Sequence, residues 1–257
     1  MVKNHPSSIV SPKANLASDV EIGPFCLIED DVEIDSGTVL MSHVVIYNGA
    51  RIGKRNKIFP GAVIAAVPQD LKFKDEFTEV VIGDDNTIRE AVTISRATLA
   101  TKKTVIGNNC LLMAYVHVAH DCVVGNNCIL ANGVELAGHV HLEDYTIIGG
   151  LTGVHQFTRI GRHAMVGACS KVVKDIPPYS LFSGNPIKYG GLNIIGLRRR
   201  GFSNESIISL KKAFSILYNP AYNVTQAITK IKSDLELTPV VQDVLNFIAN
   251  SRRGLSK

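Results

Sequence analysis

Six of the eight histidines in this chain fall between residues 117 and 163, and one of them, His120, is followed directly by Asp121. An imidazole held by a carboxylate makes a general base, whereas several neutral imidazoles brought together can hold zinc. The plainest alternative is that surface histidines only solvate a face. Deciding among the three requires knowing which side chains share an edge, and the backbone pattern supplies that.

A branched aliphatic residue recurs at every sixth position from Val10 through Ile64, again at Ile82, Ile88 and Ile94, and without a break from Ile106 to Val172. A helix repeats at about 3.6 residues and a half-buried strand at about 2, so a strict period of six marks a hexapeptide solenoid. Each hexad supplies one short strand, and three hexads close a triangular coil that stacks on the next at roughly 4.8 Å. The phase fails only at Asp70, Glu76 and Ala100, which predicts two polar loops thrown outward near 65–81 and 97–104. A step of three hexads moves one coil along the same edge. His120 therefore lies beneath Gly138, and Gly138 beneath Gln156, while His139 and His155 flank that column and His117 borders it. On this edge His120 fits a general base oriented by Asp121, with the uncrowded Gly138 N–H as oxyanion donor. Zinc held by three imidazoles stays open as the second reading.

The rest of the chain bounds the possibilities. With 257 residues and 46% hydrophobic content it can bury a full core without disulfides. Cys26, Cys110, Cys122 and Cys128 occupy the small slot four residues after an aliphatic position, and Cys169 lies one before it. With no Cys-x-x-Cys pair, all five read as packed, reduced thiols. The start, Met1-Val2-Lys3-Asn4, lacks an apolar signal region and no apolar stretch approaches membrane-spanning length, so a cytoplasmic protein without membrane insertion is expected. A net charge of +4 with no basic run beyond Arg198-Arg199-Arg200 argues against nucleic acid and suits an acidic partner or phosphorylated ligand. After Val172 the paired Pro177-Pro178 should end the stack, and a Gly/Pro-rich connector should lead into helices beyond about Leu192. Ser203 is placed as one N-cap, a second helix at Val224–Leu235, and a third beginning with Pro239 behind Thr238. The division expected is 1–190 for the solenoid and 191–257 for a C-terminal helical domain.

The hexads, the His-x-x-His-Asp-Cys segment at 117–122, Leu-Ala-Gly-His at 136–139, Gly-x-His-Gln-Phe at 153–157, the Pro-Pro-Tyr and Gly-Asn-Pro closure, and Asn193 through Arg200-Gly201-Phe202 closely resemble the UDP-N-acetylglucosamine O-acyltransferase family of lipid A synthesis. The resemblance implies an all-β solenoid of left-handed parallel β-helix type, assembled as a homotrimer with its sites in clefts between subunits. It implies transfer of an (R)-3-hydroxyacyl chain from acyl carrier protein to the 3-hydroxyl of UDP-N-acetylglucosamine, with neither cofactor nor metal. By the same resemblance His120 takes the hydroxyl proton, Asp121 orients it, and Gly138 holds the oxyanion. His117, His139, His155 and Gln156 line the groove, Gln69, Asp70 and Lys72 come from the first loop, and Asn193, Arg199 and Arg200 meet the uridine diphosphate. Ala168 matches the position that limits acyl length. Two positions depart from the family pattern: Ser95 stands where relatives commonly carry histidine, and Ile195 where a glutamate is expected. The first raises a 3-amino sugar as an alternative acceptor. A trimeric β-helical zinc carbonic anhydrase and a non-enzymatic scaffold are the rival classes.

Overall fold

The computed structural model describes residues 3–257, so Met1 and Val2, where the N-terminal segment read as lacking a signal begins, lie outside the described residues. Short strands, most of two residues, form three sheets that share the coils between them. Sheet A, which includes Leu111–Leu112, has eleven strands, sheet B, with His117–Val118, nine and sheet C, with Val123–Val124, eight, and consecutive strands within the coils fall in different sheets. The aliphatic positions stack in parallel register: Val118 pairs with Leu136, Leu136 with Val154, and Val154 with Val172. These side chains are buried along the prism axis and form one continuous core, with the small slot of Val20, Thr38, Val44 and Ala62 filling the corners. This is the left-handed parallel β-helix, with a small helical part at its C-terminal end.

The corners explain how the chain turns every six residues. Asn109, Tyr115, Asp121, Asn127, Gly133, His139, Tyr145, Leu151, Phe157, His163 and Cys169 all have left-handed φ values between 55° and 65°. Asn, Asp and Gly tolerate that conformation, but His, Tyr, Leu and Phe adopt it at a cost, so the stacked strands impose it. Cys169 corrects the reading of five packed thiols: Cys26, Cys110, Cys122 and Cys128 are buried, whereas Cys169 sits on a left-handed corner and is exposed.

Across the loops Ile64 pairs with Ile94, and Ile94 with Val118, so the coil absorbs two extra hexads and then one without losing phase. Strands Val63–Ala66, Glu79–Ile82, Thr93–Ser95 and Lys103–Ile106 confine the loops to 67–78 and 96–102, narrower than the sequence suggested. The loops touch, with the Arg96 guanidinium 5.7 Å over the Phe73 ring. Past Val172 the prolines interrupt the ladder without ending sheet A. Ser180–Ser183 adds a parallel strand there and Lys188–Leu192 returns antiparallel to it, because Phe182 reaches the core beyond the turn.

Four helices follow: α1 Ile194–Arg199, α2 Asn204–Leu217, α3 Val224–Asp234 and α4 Pro239–Ala249. Ser203 caps α2 through its side chain, and α4 starts at Pro239 with Thr238 at the cap position but no side-chain bond from it. The six-residue α1 is too short to register as a helical period. Among the described residues no helix is long and apolar enough to cross a membrane.

Candidate active site

His120 and Asp121 stand at the corner where sheet B turns into sheet C. Neighbours in a strand point to opposite faces, but the left-handed φ of 61° at Asp121 swings its carboxylate back, and His120 Nδ1 lies 2.7 Å from Asp121 Oδ2. A buried carboxylate accepts, so Nδ1 carries the proton and Nε2 keeps the lone pair that a base requires. The register drawn from the sequence holds here. A Cβ placed on Gly138 would come within 2.5 Å of His120 Cε1 and 2.7 Å of its Nε2, so only glycine lets the imidazole lie beneath this coil. Among the described residues no acceptor takes the Gly138 N–H, which leaves that donor available beside the base.

Asp121 has further partners that sequence reasoning missed. The second loop folds over it, and the Thr98 hydroxyl donates at 2.8 Å, the Thr98 N–H at 3.2 Å, and the Thr101 hydroxyl to the other oxygen. Thr104 fixes the backbone by accepting the Asp121 N–H at 2.9 Å. Burial pushes the Asp121 carboxyl up, but the bonds from Thr101, His120 and Thr98 outweigh it and the net lies below the ordinary carboxylate range. Its side chain is 0% exposed and charged. The only hint in the sequence is the spacing of three threonines within one loop and the strand that follows it.

His139 lies behind His120. Its ring meets His120 edge-on at 5.3 Å, stacks on Phe157 at 4.5 Å, and brings Nε2 to 3.5 Å from Asp121 Oδ2. Burial lowers its pKa despite the pull of Asp121. Burial likewise lowers that of His117, whose Nδ1 lies 2.7 Å from Thr93 Oγ1. His120, Asp121 and His139 can bring one ligand atom each within 4.8 Å, a carboxylate and two imidazoles where the zinc reading needed three imidazoles. The Asp121 oxygens are already engaged by Thr98, Thr101 and His120. That donor set suits a positioned base better than a metal ligand.

An open groove of about 540 Å³ runs along sheet B from this corner, and its walls include Gln69, His117, His120, Gly138, His155 and Gln156. Ser95 is buried at the same wall, and Glu135, Gly153 and Lys171, none of them among the expected site residues, also line the groove. Other expected residues do not line this groove. Asp70 accepts the Lys72 N–H at 2.9 Å and shapes the first loop, from which Lys72 projects. Ala168 is exposed on the corner between sheets A and B. Asn193 is buried: its side chain caps α1 at Gly196 N and donates to the His163 carbonyl at 3.0 Å. Arg199 is exposed on α1, and Arg200 lies 5.1 Å over the Tyr145 ring at the corner between sheets C and A. Within one chain, then, the arginines and His120 occupy opposite edges of sheet C. Ile195, one residue into α1, is 74% exposed.

Two family models match: bacterial transferase hexapeptide (six repeats) over residues 103–138, and UDP N-acetylglucosamine O-acyltransferase, domain 2, over 175–256. The chain is 49% identical over 254 residues to the acyl-[acyl-carrier-protein]–UDP-N-acetylglucosamine O-acyltransferase of Thermodesulfovibrio yellowstonii, covering 98% of each chain. It is 45% identical over 256 residues to that of Thiobacillus denitrificans, covering 99% of each. A solved UDP-N-acetylglucosamine acyltransferase from Bacteroides fragilis superposes with a TM-score of 0.97 at 45% identity, covering 98% of this chain and 99% of the other. The Arabidopsis enzyme superposes at 0.86 with 34% identity, covering 99% and 100%.

Proposed function

From the premise that this chain belongs to the UDP-N-acetylglucosamine O-acyltransferase family and is an acyltransferase, we propose that its groove moves an (R)-3-hydroxyacyl chain from acyl carrier protein to the 3-hydroxyl of UDP-N-acetylglucosamine, the opening step of lipid A synthesis. A thioester is already activated, so the chemical demand is to remove a proton from a weakly acidic hydroxyl. His120 Nε2 takes that proton while Asp121 holds Nδ1–H and stabilises the imidazolium. The sugar oxygen bonds to the thioester carbonyl carbon, and the Gly138 N–H receives the oxyanion. Collapse of the tetrahedral intermediate breaks the C–S bond, and His120 returns its proton to the departing thiolate. Gln69, His117, His155 and Gln156 position the substrates along the groove.

The observation that carries this reading is the 2.7 Å His120–Asp121 pair with its ring seated beneath Gly138. The placement of the arginines supports a homotrimer in this reading: α1 of a neighbouring subunit, with the Arg200 that caps it, would bring Arg199 and Arg200 to the groove, where planar guanidinium forks suit a diphosphate. Asn193 then acts by capping α1. The exposed Val67, Leu71 and Phe77 on the first loop support a neighbouring subunit there. The carrier protein, acidic and soluble, matches a chain of net charge +4 in a cytoplasmic setting. Ser95 at the groove wall favours a 3-amino UDP-sugar as the second acceptor to examine. The test is to incubate the protein with 3-hydroxyacyl carrier proteins and either UDP-N-acetylglucosamine or its 3-amino analogue, then weigh the products. An ester is expected; an amide alone would reassign the acceptor, and no acyl-sugar from either would overturn the reading.

A further inference from the structure

Glycine usually has a visible reason in this fold. Gly138, Gly149 and Gly161 have no room for a Cβ, and Gly37, Gly133 and Gly201 adopt left-handed φ values. Gly153 has neither reason. Its φ is ordinary, and a Cβ built on it meets nothing within 4 Å, a combination no other glycine among the described residues shows. It occupies a strand position, where glycine forfeits both backbone rigidity and side-chain packing. The empty space lies inside the groove.

The parallel register shows what that space connects. Gly153 pairs with Glu135 on one side and Lys171 on the other, so a gap opens in the outer wall of sheet B between two long charged side chains. Beside it, Ala119 and Ala137 floor the groove next to His120 and Gly138. Small residues thus trace a low diagonal path from Gly138 over Ala137 to Gly153, a cross-strand diagonal of about 7–8 Å. Continued in the same direction the path leads to the corner that carries Ala168. The aliphatic stem of Lys171 can line its side while the ammonium reaches water.

Resting on the acyltransferase reading, we propose that Gly153 is the saddle over which the donor's alkyl chain crosses sheet B, and that the missing side chain there admits long chains. The step is one of binding and specificity; Gly153 takes no part in bond making.

The test compares wild type with Gly153→Ala and Gly153→Val, reading kcat/KM for a long-chain 3-hydroxyacyl carrier protein relative to 3-hydroxybutyryl carrier protein. The ratio should fall by at least about tenfold in Gly153→Val, with Gly153→Ala between it and wild type. Melting temperature should hold or rise, because the new side chain enters open space on a strand. An unchanged ratio overturns the proposal. So does an equal loss with both donors, which would place the pantetheine arm at Gly153, or a lowered melting temperature in both variants, which would make the glycine structural. Failure of wild type to transfer any chain would sink the acyltransferase reading instead. In that event calorimetric binding of a long 3-hydroxyacyl pantetheine thioester still decides: weaker binding to Gly153→Val supports the saddle, and equal binding overturns it.

Discussion

Replacing Thr98 and Thr101 together by valine should slow turnover without touching either substrate. Both hydroxyls donate to the Asp121 carboxylate, which is buried and also accepts from His120 Nδ1 and the Thr98 N–H. A hydrogen bond to a charged group is worth about 1.5–3 kcal/mol, and valine keeps the shape while removing the donor. The stripped carboxylate can recover part of that loss only by turning, and His120 turns with it. A general base displaced by about 1 Å loses on the order of 10²-fold in rate, so kcat should fall by about 10–100-fold while KM for both substrates stays within about twofold. The depressed carboxyl pKa of Asp121 makes its contribution to stability full above the ordinary range and lost as pH falls through the folded value. The variant should therefore also lose stability at neutral pH and depend less on pH below about 4. Steady-state kinetics of the single and double variants, beside Thr98→Ser and Thr101→Ser, separate the possibilities. The serine pair should retain most of the wild-type kcat. A double valine variant that keeps more than half of it would refute the view that the loop positions the base.

Arg199→Ala and Arg200→Ala should mainly raise KM for the UDP-sugar, since lost charge-assisted bonds to a diphosphate cost on the order of 1.5–3 kcal/mol; unchanged affinity in both would return the run to solvated surface. Ala168→Gly should shift the preferred acyl length upward and Ala168→Met downward, each buried methylene contributing roughly 0.8 kcal/mol; identical length profiles would put the end of the groove elsewhere. His163 is stacked between Tyr145 and Tyr179, and burial, aided by Arg200 and Arg162, lowers its pKa to about 4. Its stabilising contribution is full above the ordinary value near 6.5 and is lost as pH falls from there toward about 4. Partial exposure brings that below about 1 kcal/mol per pH unit, so denaturant midpoints at pH 7 and pH 5 should lie closer together in His163→Phe than in wild type.

Much of the scaffold was legible because its repeat is strict. The sixfold phase placed the aliphatic core, set Val118, Leu136 and Val154 in one ladder, and through it put His120 beneath Gly138. Ser203 and Pro239 were readable as helix starts because cap chemistry is local. Departures arose where geometry breaks the repeat. Thr98 and Thr101 reach Asp121 through a loop that no period governs. Cys169 faces outward because it takes the corner while Ser170 fills the inward slot beside it, which side-chain size alone does not reveal. Sheet A gains two strands beyond the prolines, and only three-dimensional packing of Phe182 accounts for them. The arginines of α1 could be matched by motif, but their separation from His120 by the width of sheet C could not.

The central claim is that His120 removes the proton from the acceptor hydroxyl. Wild type and His120→Ala, each confirmed as folded, should be incubated with a 3-hydroxyacyl carrier protein and UDP-N-acetylglucosamine, and the acyl-sugar quantified by mass. Turnover should fall by about 10²–10⁴-fold in the variant. A variant that keeps more than about a tenth of wild-type activity would contradict the assignment and pass the role to another imidazole of the groove.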